Sequence, residues 1–266
     1  MYGVEHYERG NSFLPAGLWA APPDELVLPD DEVHVWRAWL DCPASLSMLA
    51  TLLSGSEIAR ANRFHFSRDR DRFIIAHSVL RLLLGQYLRE DPKKLRFITN
   101  EFRKPFLAWK KTGEPLCFNL SHSGAVALFA FVRGRNVGID VEHIRPDFFE
   151  PAIARRFFAP EEVADLEALD PLLQVTGFFN CWTRKEAYIK ARGLGLSLPL
   201  STFRVSLRPG SGAALLCYAT DPTEMSRWSL QELAPGEGYV GSLAVEGHNW
   251  KLRSWQWRPE PSLVGA

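Results

Sequence analysis

The segments Asn119-Leu-Ser-His-Ser123 and Val137-Gly-Ile-Asp-Val-Glu142, answered by Trp182-Thr-Arg-Lys-Glu-Ala-Tyr-Ile-Lys190, set the frame for the whole chain. Read with period two, Val137, Ile139 and Val141 fall on one face of a strand, and Gly138, Asp140 and Glu142 on the other. Two carboxylates on one pleat repel, so that face needs a cation or water. Read with period 3.6, Phe179, Trp182, Glu186 and Lys190 share one helical stripe, with a carboxylate and an ammonium one turn apart. A helix packed through its Phe/Trp side onto the strand brings three carboxylates together with a lysine beside them. That is a hard-cation site next to a cationic anchor, as chemistry at phosphate requires.

Taken singly, each piece has an ordinary structural reading. Asp-x-Glu is most often a solvated strand face, and Ser-His-Ser a turn. Glu186 with Lys190 is a surface ion pair contributing about 0.3–0.5 kcal/mol. Lys185 points away from Lys190 and pairs at the surface. The specificity lies in the joint pattern and its order.

Working outward, the 266 residues with 46% hydrophobic content suffice for one large or two small cores. Lys plus Arg and Asp plus Glu are both 31, so no global basic field points to nucleic acid. No apolar run approaches the ~20 residues of a membrane span, and the N-terminus lacks a basic region followed by an apolar core. Cys42, Cys117, Cys181 and Cys217 show no CxxC pairing and no His at ligand spacing, as in a reduced, cytoplasmic protein.

Residues 1–32 read as a loosely structured surface extension, 33–135 and 136–258 as two halves, and 259–266 as a tail. In the first half, strand alternation over Val33–Leu40 is followed by helical stretches at Ser45–Leu53 and from Ser56. Phe73, Ala76, His77, Leu80, Leu83, Leu84, Tyr87 and Leu88 then repeat at helical spacing, with His77 as a core histidine. Phe97–Phe118 reads as strand, turn and strand. The nearly continuous apolar run Gly124–Val132 reads as a buried strand, preceded by a turn carrying Ser121 and His122. After the joint at 133–136 and the Asp140 strand, helices are expected at 149–157, 160–169 and 172–191. Strands follow at 203–207, 214–219, 228–233, 238–245 and 250–257. The rhythm of Gly124–Phe131 recurs at Gly238–Val245, and the long helices correspond. The expectation is an α+β fold of two pseudo-symmetric halves.

Phe118-Asn-Leu-Ser-His-Ser-Gly124, Val137–Glu142, Trp182–Lys190 and Gly193-Leu-Gly-Leu-Ser-Leu-Pro199 together resemble the signature segments of the 4′-phosphopantetheinyl transferases, in the larger, single-chain Sfp type. The resemblance covers roughly residues 33 to 258. It implies an active site in the cleft between the two halves. It also implies an enzyme that moves 4′-phosphopantetheine from coenzyme A to a serine of an apo-acyl carrier protein or peptidyl carrier domain. Asp140, Glu142 and Glu186 would hold Mg²⁺, and Asp140, Glu186 and Lys190 would carry the chemistry. Glu186, directly or through water, would be the base. Arg60, Arg72, Lys104, Pro105, Ser121, His122 and Lys190 would grip coenzyme A. Two departures stand out: Arg103 replaces a glycine before Lys104-Pro105, and Glu57 stands where some relatives carry a lysine. The chain is expected to act as a monomer without membrane or nucleic acid. The rival is a non-catalytic coenzyme A or carrier-binding module, which would be expected to have lost one of Asp140, Glu186 or Lys190. Another nucleotide phosphotransferase would want a Gly-rich phosphate loop, and none is present.

Overall fold

A computed structural model describes residues 19–41, 46–108, 113–218 and 221–259. Residues 1–18 of the expected extension, Cys42, Ser45, Ala219 and the tail from 260 lie outside them. The first half runs β1 (Glu32–Trp39), α1 (Leu46–Ala50), α2 (Gly55–Ala61), α3 (Ser67–Leu88), β2 (Phe97–Thr99), β3 (Pro105–Leu107), β4 (Leu116–Ser123) and β5 (Val126–Arg133). The second runs β6 (Val137–His143), α4 (Pro151–Phe157), α5 (Pro160–Glu167), α6 (Pro171–Arg192), β7 (Phe203–Val205), β8 (Leu215–Tyr218), α7 (Glu224–Arg227), β9 (Trp228–Leu233) and β10 (Tyr239–Glu246). A last strand, β11 (Lys251–Gln256), follows.

Two sheets carry the pseudo-symmetry. One has the order β11-β1-β5-β4 and the other β6-β10-β9. Stripped of β11, both read first strand, last hairpin strand, hairpin partner, all antiparallel. Each half also contributes one 22-residue helix, α3 or α6. The expected α+β pair of halves is therefore present. β11 crosses the boundary, lying parallel to β1 in register Glu32↔Lys251 to Arg37↔Gln256.

Alternation builds the layers. Val33 and Val35 of β1 and Val126, Leu128, Ala130 and Val132 of β5 meet Val137, Ile139 and Val141 of β6 in a central core between the sheets. The opposite faces, with Trp36, Ala38, Phe129 and Phe131, bury α3. α6 seals the far side of the second sheet through Phe178, Phe179, Cys181 and Ala187. β5 is buried on both faces, which explains its continuous apolar run. The helix ends follow local chemistry. Ser54 and Glu57 form a reciprocal capping box on α2. Asp170 and Pro171 start α6, and Gly193 at φ 68° ends it in a left-handed cap.

Several expectations change. Ser121 and His122 sit on β4 itself, and the turn is the following Gly124-Ala125. The region 97–118 forms three strands, because the short β2–β3 hairpin precedes β4. α1 stops at Ala50, and Thr51–Leu53 turn back onto it. Within residues 19–31 two side chains are anchored, although most of the others stay exposed. Leu28 is 4% exposed in the α3 core, and Trp19 donates its indole N–H to Ala234 O across the halves.

Lys185 departs furthest from expectation, being fully buried. Its ammonium meets Glu162 at 2.7 Å and donates to the carbonyls of Leu200 (2.7 Å) and Phe203 (2.6 Å). Glu162 in turn accepts the backbone N–H groups of Ala159 and Val205. One ion pair thus ties α5, α6 and the start of β7. Removing one partner leaves a buried charge uncompensated, so Lys185→Met should destabilise the protein by about 3–5 kcal/mol in urea unfolding. A loss below about 1 kcal/mol would show that Glu162 is not held as a buried carboxylate.

Candidate active site

β4 and β6 are the facing edge strands of the two sheets, and side chains join them. Asn119, Ser121 and Ser123 alternate along β4 and all point to β6. Asn119 Oδ1 accepts the Ile139 N–H at 2.8 Å. Ser121 donates to Asp140 Oδ1 at 2.8 Å, and Ser123 donates to Glu142 Oε2 at 2.7 Å while accepting the His143 N–H at 3.1 Å. The following turn is fixed by the second half, since the Ala125 N–H donates to the Tyr239 hydroxyl of β10 at 3.0 Å. Asn119 and Ser123 received no role from the sequence, although their period-two spacing with Ser121 was the available signal.

From the other side comes α6. Gly138 permits its approach: a Cβ there would lie 2.1 Å from Ala187 O and 2.3 Å from Ala191 N. At that distance Lys190 Nζ reaches Asp140 Oδ1 at 2.6 Å and Ser121 Oγ at 2.9 Å. Lys190 therefore pairs with Asp140 across the elements. Asp140 is 3% exposed, and its second oxygen, Oδ2, is buried without a hydrogen-bond partner. Burial, then Asp140 and Glu142, push the Glu186 carboxyl up to about 7 against the pull of Lys190. Glu142 is also raised, first by burial and then by Asp140, with the Ser123 hydrogen bond opposing. Asp140, Glu142, Glu186 and Lys190 thus form one electrostatic unit.

Beside it lies a groove of about 600 Å³ between α2, α3 and the β2–β3 hairpin. Arg60, Arg96, Arg103, His77 and His122 line it, with Pro105 on the hairpin wall. Its floor holds Glu57, which Arg81 Nη2 meets at 2.7 Å. Burial alone would raise Glu57, but hydrogen bonds from His77, Arg81 and Ser54 hold it well below the usual carboxylate range. The carboxylate at this position is therefore neutralised internally, and the walls stay cationic. His77 is half-buried, stacked on Phe73 with centroids 4.0 Å apart, and belongs to the groove wall as well as the core edge. The surrounding protein, then His77, Lys190, Arg60 and Arg72, depress the His122 pKa, although part of the ring is open to solvent. Arg103 adopts φ 65°, the left-handed conformation expected of a glycine, so the turn survives the replacement.

Two expected groove residues are engaged elsewhere. Arg72 makes a two-pronged bridge to Asp41, at 2.9 and 3.1 Å. The Lys104 ammonium donates to Val137 O and Ala191 O, and burial lowers its pKa to about 8.

Comparison with known proteins agrees with this geometry. The profile described as the 4′-phosphopantetheinyl transferase superfamily matches residues 136–244, and that described as 4′-phosphopantetheinyl transferase, N-terminal, matches residues 37–132. The 4′-phosphopantetheinyl transferase HetI of Nostoc sp. is 40% identical over 240 residues, covering 90% of this chain and 98% of its own. The 4′-phosphopantetheinyl transferase Sfp of Bacillus subtilis is 32% identical over 178 residues, covering 66% of this chain and 77% of its own. The chain belongs to the 4′-phosphopantetheinyl transferases, enzymes that modify carrier proteins. Within them it is of the larger, single-chain Sfp type, both halves being one polypeptide.

Glu186 supplies a test of the electrostatics. A carboxyl whose pKa rises from 4.5 to about 7 on folding binds an extra proton in the native state between those values. Its penalty is therefore full above pH 7 and fades as pH falls towards 4.5. In metal-free buffer, Glu186→Gln should raise stability by about 1–3 kcal/mol at pH 8 and by much less at pH 4.5, read by urea unfolding at both. Equal effects at the two pH values would contradict a carboxylate strained by burial.

Proposed function

We propose that the chain transfers 4′-phosphopantetheine from coenzyme A to a serine hydroxyl of acyl or peptidyl carrier proteins, releasing 3′,5′-ADP, as a cytoplasmic, Mg²⁺-dependent monomer. The observation that carries this reading is the Asp140–Lys190–Ser121 cluster, with one carboxylate oxygen buried and unpartnered, next to a cationic groove. No helix among the described residues is long and apolar enough to cross a membrane.

The residues suit Mg²⁺. Asp140 Oδ2 lacks a partner, the two neighbouring carboxyls are raised by burial and by the charge of Asp140, and all donors are hard oxygens. Among the described residues no three such side chains close into a complete cage. Asp140, Glu142 and Glu186 would hold the ion through their hard carboxylate oxygens. When bound, Mg²⁺ supplies charge neutralisation to the pyrophosphate.

In the reaction the serine oxygen attacks the β-phosphorus of coenzyme A. The bond from that phosphorus to the bridging oxygen breaks, and its electron pair leaves on 3′,5′-ADP. Glu186, directly or through water, takes the serine proton. Lys190, held at Asp140 and Ser121, offsets charge growing on the leaving group. His122 and Ser121 border the pyrophosphate end. Arg60, with Arg72 sharing its bridge to Asp41, holds the 3′-phosphate, and Pro105 flanks the adenine. An anion arriving in the groove opposes the depression of the His122 pKa.

The test is direct: with coenzyme A, Mg²⁺ and an apo-carrier, mass spectrometry should show the phosphopantetheine gain on the carrier. Asp140→Ala and Glu186→Ala should each cut turnover at least about a hundredfold, and Glu142→Ala less. Near-normal turnover in the first two variants would exclude the carboxylate cluster as the reaction centre. Arg60→Ala should raise the KM for coenzyme A about tenfold while leaving that for 3′-dephospho-coenzyme A nearly unchanged. An equal rise for both donors would remove Arg60 from the 3′-phosphate.

A further inference from the structure

The β2–β3 hairpin turn, Asn100 to Lys104, closes over the end of α6. Asn100 Oδ1 accepts the backbone N–H groups of Phe102 (3.0 Å) and Lys104 (2.9 Å), which makes the turn rigid. Its amide donates to Gly193 O, the residue capping α6, at 2.7 Å. Lys104 Nζ then donates to Ala191 O at 3.0 Å and to Val137 O at 3.1 Å. The last carbonyls of a helix have no partner within it and carry its negative pole, so an ammonium is a favourable cap. Val137 is the first residue of β6. A single cation therefore bridges the two elements that carry Asp140, Glu142, Glu186 and Lys190. It does so beside Gly138, where helix and strand backbones already touch and no slack remains.

We propose that Lys104 is a positioning residue: its ammonium clasps the start of β6 to the end of α6 and sets the spacing between the Asp140/Glu142 pair and Glu186/Lys190. Asn100 serves the same clasp through Gly193. The two neighbours of Lys104, Arg103 and Pro105, face the groove, while the ammonium itself does not line it. The hairpin thus touches the donor site with one set of residues and aligns the reaction centre with another. This inference rests on the transferase reading above and adds to it a role for a lysine that the resemblance assigns to coenzyme A.

Lys104→Met and Asn100→Ala in the full-length enzyme test it. Lys104→Met should bind coenzyme A with one site per chain and a Kd within about threefold of the unmutated protein, while kcat falls at least about tenfold through misalignment. Unchanged stoichiometry separates that loss from a loss of folded protein. The Mg²⁺ concentration for half-maximal rate should rise, because the carboxylates no longer converge. Hydrogen exchange should quicken at the end of α6, a readout independent of activity. Asn100→Ala keeps the ammonium and should show the same pattern at about two- to fivefold, so the inference stands or falls even if Lys104→Met does not fold. A weakened coenzyme A Kd with kcat preserved would make Lys104 a donor contact and overturn the clasp. Unchanged kcat and unchanged exchange in both variants would overturn it too. Failure of the unmutated enzyme to modify any carrier would instead sink the transferase reading, leaving the exchange experiment to judge the clasp alone.

Discussion

The outward edge of β6 is the constraint on which the site depends. An edge strand presents backbone N–H and C=O groups that need partners. Among the described residues no strand supplies them here. Val137 O takes Lys104, Ile139 N–H takes Asn119, Ile139 O takes Lys190 at 3.4 Å, and His143 N–H takes Ser123. Side chains can do this only from fixed distances, so satisfying the edge also fixes β4, α6 and the β2–β3 hairpin around it. Lys190, together with Ser121, also reaches the Asp140 carboxylate. Structural satisfaction of a backbone edge and construction of the proposed reaction centre are one arrangement.

Pseudo-symmetry makes this edge available. Both sheets repeat one strand order, yet the equivalent first strand of the other sheet, β1, has its outer side occupied by β11. Of these two strands, β6 alone is left open to side chains. The duplicated architecture therefore yields one site rather than two, with the first half supplying the groove and β4, and the second supplying the carboxylates and α6. The Asp140–Lys190 pair holds part of the negative charge in check, while Asp140 Oδ2 keeps an unmet demand.

What could be read from the chain follows physical locality. Period-two alternation in β6 and helical spacing in α3 and α6 are local, and both were plain. The internal repeat of strand and helix rhythm foretold two halves. Burial of lysines was not readable: Lys104 and Lys185 are neutralised by carbonyls and a carboxylate distant in sequence, and lysine is seldom buried without such partners. Ser121-His122 was taken for a turn because Ser and His favour loops, whereas the serines belong to a strand stitched by its side chains. The bridge from Arg72 to Asp41 spans 31 positions and has no local signature. The pairing of β11 with β1 is equally non-local and has no signature in either strand.

That last pairing bears on how the protein is made. Arg37 of β1 and Gln256 of β11 are hydrogen-bonded although 219 residues separate them. During synthesis the amino-terminal sheet emerges first but waits with one flank bare until β11 has also left the ribosome. Closure of so long a loop is slow, and an unpaired strand edge in the interim invites wrong partners. The exposed flank is the one bearing Val33 and Val35 on one face and Trp36 on the other. Nascent chains of this protein are thus most vulnerable to aggregation before β11 emerges, and a chaperone that shields strand edges would act on them in that interval.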